Sequence, residues 1–548
     1  MKYPVTLLFS FLLVSATAQT KADSIRLIRN AVKLYDLDFT ENEADSLLAQ
    51  LRVSYSIYKG MHQTLPANNI PYPFAFNPLP IGNTVPAKQE KINWDLPVTQ
   101  LPANKNELAF YSIPQLASLI KNKKISSTEL TEFFIERLKK WGDTLESVIT
   151  LTQDLAMRQA KQADDELKKG IYRGLLHGIP YGLKDLFAVK GYKTTWGSTP
   201  YKDQMIDEDA FVYRQLKKAG AVLCAKLSLG ALAYNNKWFG GETKNPWNLK
   251  QGSSGSSAGS ASSVVAGLLP FTIGTETLGS IVSPSTRCGA TGLRPTFGSV
   301  SRSGAMVLCW SLDKAGPICR SAEDDAIVFY YLKGTDGKDP GAVDHAFNYN
   351  PKAGIKKLRF AYAENYFRRL SKDAAEWKVI DFYKSQGVNV EPVTFPDSAL
   401  YPDNLISIIL NAESAAAFDE LTRTNRDDLI ERQDRDFWPN SFRAARLIPA
   451  VEYINANRYR YNLCKGMYDF MKNYDVLIVP TFGGRQLAIT NLTGNPVVCM
   501  PAGFNNNGSP LSITLIGKLY DEASILAAAK VFQDKTGCNK KHPEKFLN

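Results

Sequence analysis

Gly252-Ser253-Ser254-Gly255-Ser256-Ser257-Ala258-Gly259-Ser260-Ala261-Ser262-Ser263 runs without a break into Val264-Val265-Ala266-Gly267-Leu268-Leu269-Pro270-Phe271. Its two readings lead to different folds. A Gly/Ser run on its own is a flexible linker, which would cut the chain into separate domains. The apolar half is core material, and small residues leading into an apolar helix suit close backbone packing around a site. A second small-residue loop, Gly274-Thr275-Glu276-Thr277-Leu278-Gly279-Ser280-Ile281, follows. Two such loops bring together hydroxyls and a row of backbone amides, the parts of a serine nucleophile with an oxyanion hole.

Around this region short apolar runs alternate with amphipathic ones. Ser112-Ile113-Pro114-Gln115 and Ser126-Ser127-Thr128-Glu129 fit the capping box, and Leu130, Phe133, Phe134, Leu138 and Trp141 follow at helical spacing. Asp209–Ala219 reads as a helix leading into a buried strand at Ala221–Ala225. Asp475–Pro480 and Leu511–Ile516 are further strands, and Asp521–Gln533 is a helix. Strands alternating with helices predict an α/β fold with a mixed β-sheet core covered by helices. No linker interrupts residues 106–540, so 106–548 reads as one large domain. Residues 19–105, with helical stretches at Asp23–Tyr35 and Glu41–Lys59 and a proline-rich run from Pro66 to Pro102, read as an N-terminal extension.

The chain has 548 residues, which by length alone would suggest about 3.7 domains. Its composition is 44% hydrophobic and 22% charged, that of a globular protein and not of a disordered one. The net charge of +11 is spread over the whole length, so no nucleic-acid partner is expected. Four histidines argue against a histidine-rich metal site and against a histidine-based triad. The seven cysteines lack C-x-x-C spacing and sit mostly in apolar strings, where they read as small buried hydrophobes.

At the start, Lys2, the apolar run Val5–Val14 and the small residues Ala16-Thr17-Ala18 predict a cleaved secretory signal over 1–18 and an exported mature chain. That run is too short for the ~20 residues of a membrane span, and no later segment supplies one.

Competing motifs fail on context. Gly255-Ser256-Ser257-Ala258-Gly259 matches G-x-S-x-G but lacks the strand that must precede a nucleophile elbow. Ser311-Leu312-Asp313-Lys314 with Lys535-Thr536-Gly537 imitates the β-lactamase set, yet Ser118-Leu119-Ile120-Lys121 fits S-x-x-K equally well. No phosphate-binding P-loop pattern occurs.

The two small-residue loops resemble the signature of the amidase signature family of serine amidohydrolases. His177-Gly178-Ile179-Pro180-Tyr181-Gly182-Leu183-Lys184-Asp185 is similar to the family's catalytic-lysine motif. Cys288–Gly298, Ser311–Pro317 and Gly494–Phe504 follow in the family's order, so the resemblance covers about 107–540. It implies a triad of Lys184, Ser256 and Ser280, with Ser280 as nucleophile, Ser256 as bridge after a cis peptide bond, and Lys184 as base. It also implies an oxyanion hole from the amides of Thr277, Leu278, Gly279 and Ser280, with no metal and no cofactor. Ala258 and Leu278 replace glycines common in the family, and Val282 stands where an arginine is often found; Leu278 is expected to narrow the oxyanion loop. Ser253, Ser254 and Ser257 are read as packing residues. The aromatic segment Ile406–Arg460, with Trp438 and Phe442, is the candidate pocket wall.

The expected activity is hydrolysis of a small-molecule or peptide carboxamide through an acyl-enzyme. One alternative is the glutaminase component of a tRNA-dependent amidotransferase; another is a non-catalytic binding protein on the same scaffold. The sequence leaves oligomeric state open.

Overall fold

The Gly/Ser run at 252–263 is packed, not flexible: Ala258–Val265 is a helix with every residue buried, and the next strand begins at Phe271. The computed structural model describes residues 20–61, 63, 67–68, 70, 74–397 and 404–548. The predicted signal at 1–18 lies outside the described residues.

Eleven strands form one mixed sheet: β1 (Val148–Leu151), β2 (Pro180–Lys184), β3 (Val222–Leu227), β4 (Phe271–Glu276), β5 (Thr291–Arg294), β6 (Lys314–Cys319), β7 (Phe360–Ala363), β8 (Val390–Val393), β9 (Val476–Pro480), β10 (Val497–Phe504) and β11 (Pro510–Ile516). Their order across the sheet is β1-β3-β2-β4-β6-β5-β10-β11-β9-β7-β8. β2 runs parallel to both β3 and β4, and β7 runs parallel to both β9 and β8. The other neighbouring pairs are antiparallel. β2, β3, β5, β6, β7 and β9 are buried at every position, as expected for strands covered by helices on both faces. That burial explains why Ala221–Ala225 and the run in β9 read as continuous apolar stretches and not as alternating ones.

Both predicted capping boxes form. Ser112 caps the helix Ile113–Lys121 and Ser126 caps Ser127–Leu145, each with a reciprocal bond from the residue three places on. Leu130, Phe133, Phe134 and Leu138 then face the core. Six of the seven cysteines are buried and all seven are free thiols. Among the described residues no helix is long and apolar enough to cross a membrane.

By packing, the chain divides after Ala67. The smaller unit holds the helices Lys21–Val32 and Glu41–Met61, tied by a Lys21–Asp45 ion pair at 2.7 Å. The larger unit begins at Asn68, so most of the proline-rich run grouped with the extension on sequence belongs to it. That strap is pinned through its polar groups. Gln89 exchanges two bonds with the backbone of Phe347 (2.8 and 2.9 Å), and the Ala346 amide donates to Pro86 O at 2.6 Å. Ile92, Trp94 and Leu96 pack against the core.

Gly259 is the tightest point of the helix Ala258–Val265. A Cβ built there would lie 2.4 Å from Ser147 O and 2.7 Å from Ser228 N, both backbone atoms. Helix propensity predicts that Gly259→Ala stabilises by about 1 kcal/mol. Overpacking against backbone predicts a loss of about 1–3 kcal/mol. Urea denaturation is expected to give the loss; a gain in stability would mean that the close approach is absent.

Candidate active site

Lys184 is the last residue of β2 and Glu276 the last of β4, with Leu183 in register with Ile273. The carboxyl ends of two neighbouring parallel strands therefore open at one place, the usual position for a ligand site in an α/β sheet.

Lys184 is fully buried. Its Nζ lies 2.7 Å from Ser256 Oγ, 3.1 Å from Ser257 Oγ, and 2.8 Å from Thr275 Oγ1. Burial drives its pKa well below the usual lysine value, although Asp313 and Glu276 pull in the opposite direction. A neighbouring strand supplies the contrast. Lys226 on β3 is equally buried but forms an ion pair with Asp185 at 2.6 Å. Among the described residues no carboxylate is ion-paired with Lys184. A neutral amine has two N–H donors and one lone pair. Ser257 Oγ and Thr275 Oγ1 can take the donors, which leaves the lone pair for the Ser256 hydroxyl.

The Gly255–Ser256 peptide is cis, as the resemblance implied. Ser257 joins the two loops: its amide donates to Ser280 O at 3.1 Å, and its hydroxyl donates to Thr275 O at 3.0 Å. Ser257 is thus more than a packing residue, because it holds the lysine and the Ser280 loop together. Ser280 itself is buried, next to Gly279, whose φ of +82° favours glycine. Among the described residues the amides of Leu278, Gly279 and Ser280 donate to no acceptor within the chain. The Leu278 side chain is 36% exposed, so it turns outward and does not fill the loop.

What holds this loop is a carboxylate that sequence reading passed over. Glu276 Oε2 accepts the amides of Ile281 (2.9 Å) and Val282 (3.0 Å), directly after Ser280. Its Oε1 accepts from Arg294 Nη1 at 2.7 Å and Asn491 Nδ2 at 2.9 Å. Burial pushes the Glu276 carboxyl up, but Arg294, Lys314 and the Val282 amide outweigh it and bring the pKa down to about 2. Val282 contributes its amide here and its side chain to the core; the guanidinium facing Glu276 comes from Arg294 on β5. The signal available in the sequence was a single carboxylate inside a run of small residues.

A cavity of about 70 Å³ adjoins these residues, lined by Thr275 and Thr277, by Leu186 and Phe187 just after the lysine, and by the loop 302–313. Lys184, Ser256 and Ser280 are not among its lining residues. The polar end of the cavity is Asp313, which accepts from Thr277 Oγ1 (2.6 Å) and from the amides of Leu308 and Cys309 (both 2.9 Å). The segment 406–460 contributes nothing to its wall. Trp438 and Phe442 instead stack on each other in the core at 5.1 Å, because large rings gain most when fully buried.

Comparison with known proteins shows the family and the fold. The family profile described as Amidase matches residues 129–490. A glutamyl-tRNA(Gln) amidotransferase subunit of Bacillus licheniformis is 33% identical over 481 residues, which cover 79% of this chain and 99% of that protein. Its counterpart from Coxiella burnetii is 31% identical over 480 residues, with the same coverage. Among solved structures, the native peptide amidase of Stenotrophomonas maltophilia superposes with a TM-score of 0.72 at 26% identity, covering 80% of this chain and 99% of that one. A bacterial aryl acylamidase, 21% identical with a TM-score of 0.69, shares the fold over 80% of this chain and 97% of its own.

Glu276→Gln leaves Arg294 buried without its counter-charge, a change that costs about 3–5 kcal/mol at neutral pH. The native carboxyl is depressed below its ordinary 4.5 to about 2, so its contribution is complete above the first value and fades as pH falls toward the second. Urea unfolding of both forms is expected to show a gap at pH 7 that narrows below pH 4.5. Equal stability at pH 7 would remove Glu276 as the anchor of the loop.

Proposed function

This chain belongs to the amidase family and is an amide-hydrolysing enzyme, and from that premise we propose a serine amidohydrolase in which Ser280 forms the acyl-enzyme. The observation that carries this reading is the fully buried Lys184 amine, 2.7 Å from Ser256 Oγ and ion-paired to no carboxylate among the described residues.

Lys184 in its neutral form takes the proton of Ser256 as Ser256 takes that of Ser280. Ser280 Oγ bonds to the carboxamide carbon, and the amides of Thr277, Leu278, Gly279 and Ser280 receive the developing oxyanion. One such donor is typically worth about 3–4 kcal/mol. As the C–N bond breaks, the proton returns from Lys184 through Ser256 to the leaving nitrogen, which departs as ammonia or an amine. Water then adds to the acyl carbon along the same relay, releasing the carboxylate and restoring Ser280.

Two observations favour a free-standing, exported amidase. The N-terminal segment 1–18 has the pattern of a secretory signal. The curated relatives are matched over 99% of their length by 79% of this chain, so this chain carries additional sequence. The second reading, the glutaminase component of a tRNA-dependent amidotransferase, draws on the relatives named as glutamyl-tRNA(Gln) amidotransferase subunits. Under the first reading the mature chain starts at Gln19 and the purified protein alone hydrolyses amides other than glutamine. Cytosolic protein with an intact N-terminus and glutamine as its sole substrate would favour the second.

A fluorophosphonate is expected to label the wild type and not Ser280→Ala. Lys184→Ala is expected to lose turnover. The wild-type rate should climb as pH rises through the depressed lysine pKa, because only the unprotonated amine accepts the relay proton. Full amidase activity in Ser280→Ala, or a rate independent of pH from about 5 to 9, would overturn the assignment.

A further inference from the structure

The cavity beside the nucleophile loop is closed on one side by a segment that precedes the family-matched region. Phe74, Ala75 and Phe76 line it, yet the family profile begins only at residue 129. Phe76 is held from two directions. Its ring meets Phe297 edge-on at 5.1 Å, and the Arg460 guanidinium lies over its face at 3.4 Å. Arg460 cannot swing away freely: it is buried, and it donates to Leu492 O (2.6 Å), Ser311 Oγ (2.9 Å) and Ser311 O (2.7 Å). Ser311 is tied in turn to Glu413 at 2.6 Å, and Tyr453 donates to the same carboxylate oxygen at 2.9 Å. A cation–π contact to a guanidinium fixed in this way holds the strap ring in place.

On the far side of the strap, Phe74, Ala75, Phe76 and Asn77 also line a groove of about 1030 Å³, with Ser311 and residues 452–462. The strap is therefore a partition between a small inner cavity and a wide outer groove. The inner cavity, at about 70 Å³, is roughly half the ~150 Å³ that accommodates a benzene ring in an engineered apolar cavity. Its wall is mostly apolar. Of the charged residues on it, Arg302 pairs with Asp339 at 2.7 Å and Asp313 accepts three hydrogen bonds, while the buried Lys314 and the exposed Lys338 form no ion pair among the described residues.

We propose that Phe76 is the specificity-determining residue of this enzyme and restricts it to carboxamides whose group in the inner cavity is a short, uncharged aliphatic chain. This rests on the serine amidohydrolase reading above. Replacing the ring by a methyl group joins cavity and groove and makes room for an aromatic acyl group. A misfit of this kind changes discrimination by about tenfold or more.

The test compares butyramide with benzamide in wild type, Phe76→Ala and Phe76→Leu, with fluorophosphonate labelling of Ser280 as the control for intact chemistry. Wild type is expected to favour butyramide, and Phe76→Ala to shift the kcat/KM ratio toward benzamide by about tenfold. Phe76→Leu, which keeps an apolar plug against Arg460, should fall between the two and serves if the alanine variant does not fold. Labelled, folded variants with the wild-type ratio would overturn the role of Phe76 and leave the amidohydrolase reading standing. A wild type that neither labels nor hydrolyses either amide would instead overturn that reading.

Discussion

Taking an amine out of water is unfavourable for its charged form, and at Lys184 the surrounding groups are hydroxyls and a carbonyl with no paired carboxylate. Such a pocket holds a neutral amine comfortably and an ammonium poorly. Lys226, one strand away and just as buried, stands against Asp185 and so keeps a counter-charge. The two lysines differ in their partners: Lys184 faces hydroxyls and a carbonyl, Lys226 a carboxylate. Much of the surrounding architecture serves this arrangement. The parallel neighbours β2 and β4 end side by side, and the small residues after Gly252 let a buried helix approach them closely.

The loop that carries Ser280 depends on a second buried group of opposite character. Glu276 is ionised and fully satisfied, with two amides from its own loop on one oxygen and Arg294 and Asn491 on the other. It ties β4, β5 and the helix Gln486–Thr493 to the turn that carries Ser280. A carboxyl whose pKa is held down at about 2 and an amine whose pKa is driven well below the usual lysine value thus sit at the ends of adjacent strands. Each is kept in its state by its partners, the guanidinium for one and the hydroxyls for the other.

Several of these features were legible before any coordinates. The capping boxes at Ser112 and Ser126 specify helix starts through local hydrogen bonds, which need no tertiary contact. The apolar runs of β9 and β11 mark strands because both faces are covered. Lys184, Ser256 and Ser280 were named from motif order; the amine of Lys184 lies 2.7 Å from Ser256 Oγ, and Ser280 O accepts from the Ser257 amide. Ser257 was read as a packing residue and Thr275 and Glu276 were given no role, although all three lie in the same two loops, because a hydroxyl or carboxylate there gains its meaning from partners distant in sequence. Within the aromatic segment 406–460, Trp438 and Phe442 find their partners in the core and not in the cavity, whereas Tyr453 and Arg460 line the neighbouring groove.

The sequence by itself determined the α/β class and the family. Each of these is written in local periodicity or in the order of short motifs. Only the tertiary structure decided that Lys184 has no ion-paired carboxylate among the described residues, which carboxylate holds the turn that carries Ser280, and that the strap at Phe74–Phe76 lines the cavity. Those depend on electrostatic environment and on contacts between residues hundreds of positions apart. Phe76 against Arg460 is such a contact, and neither residue carries a pattern that points to the other.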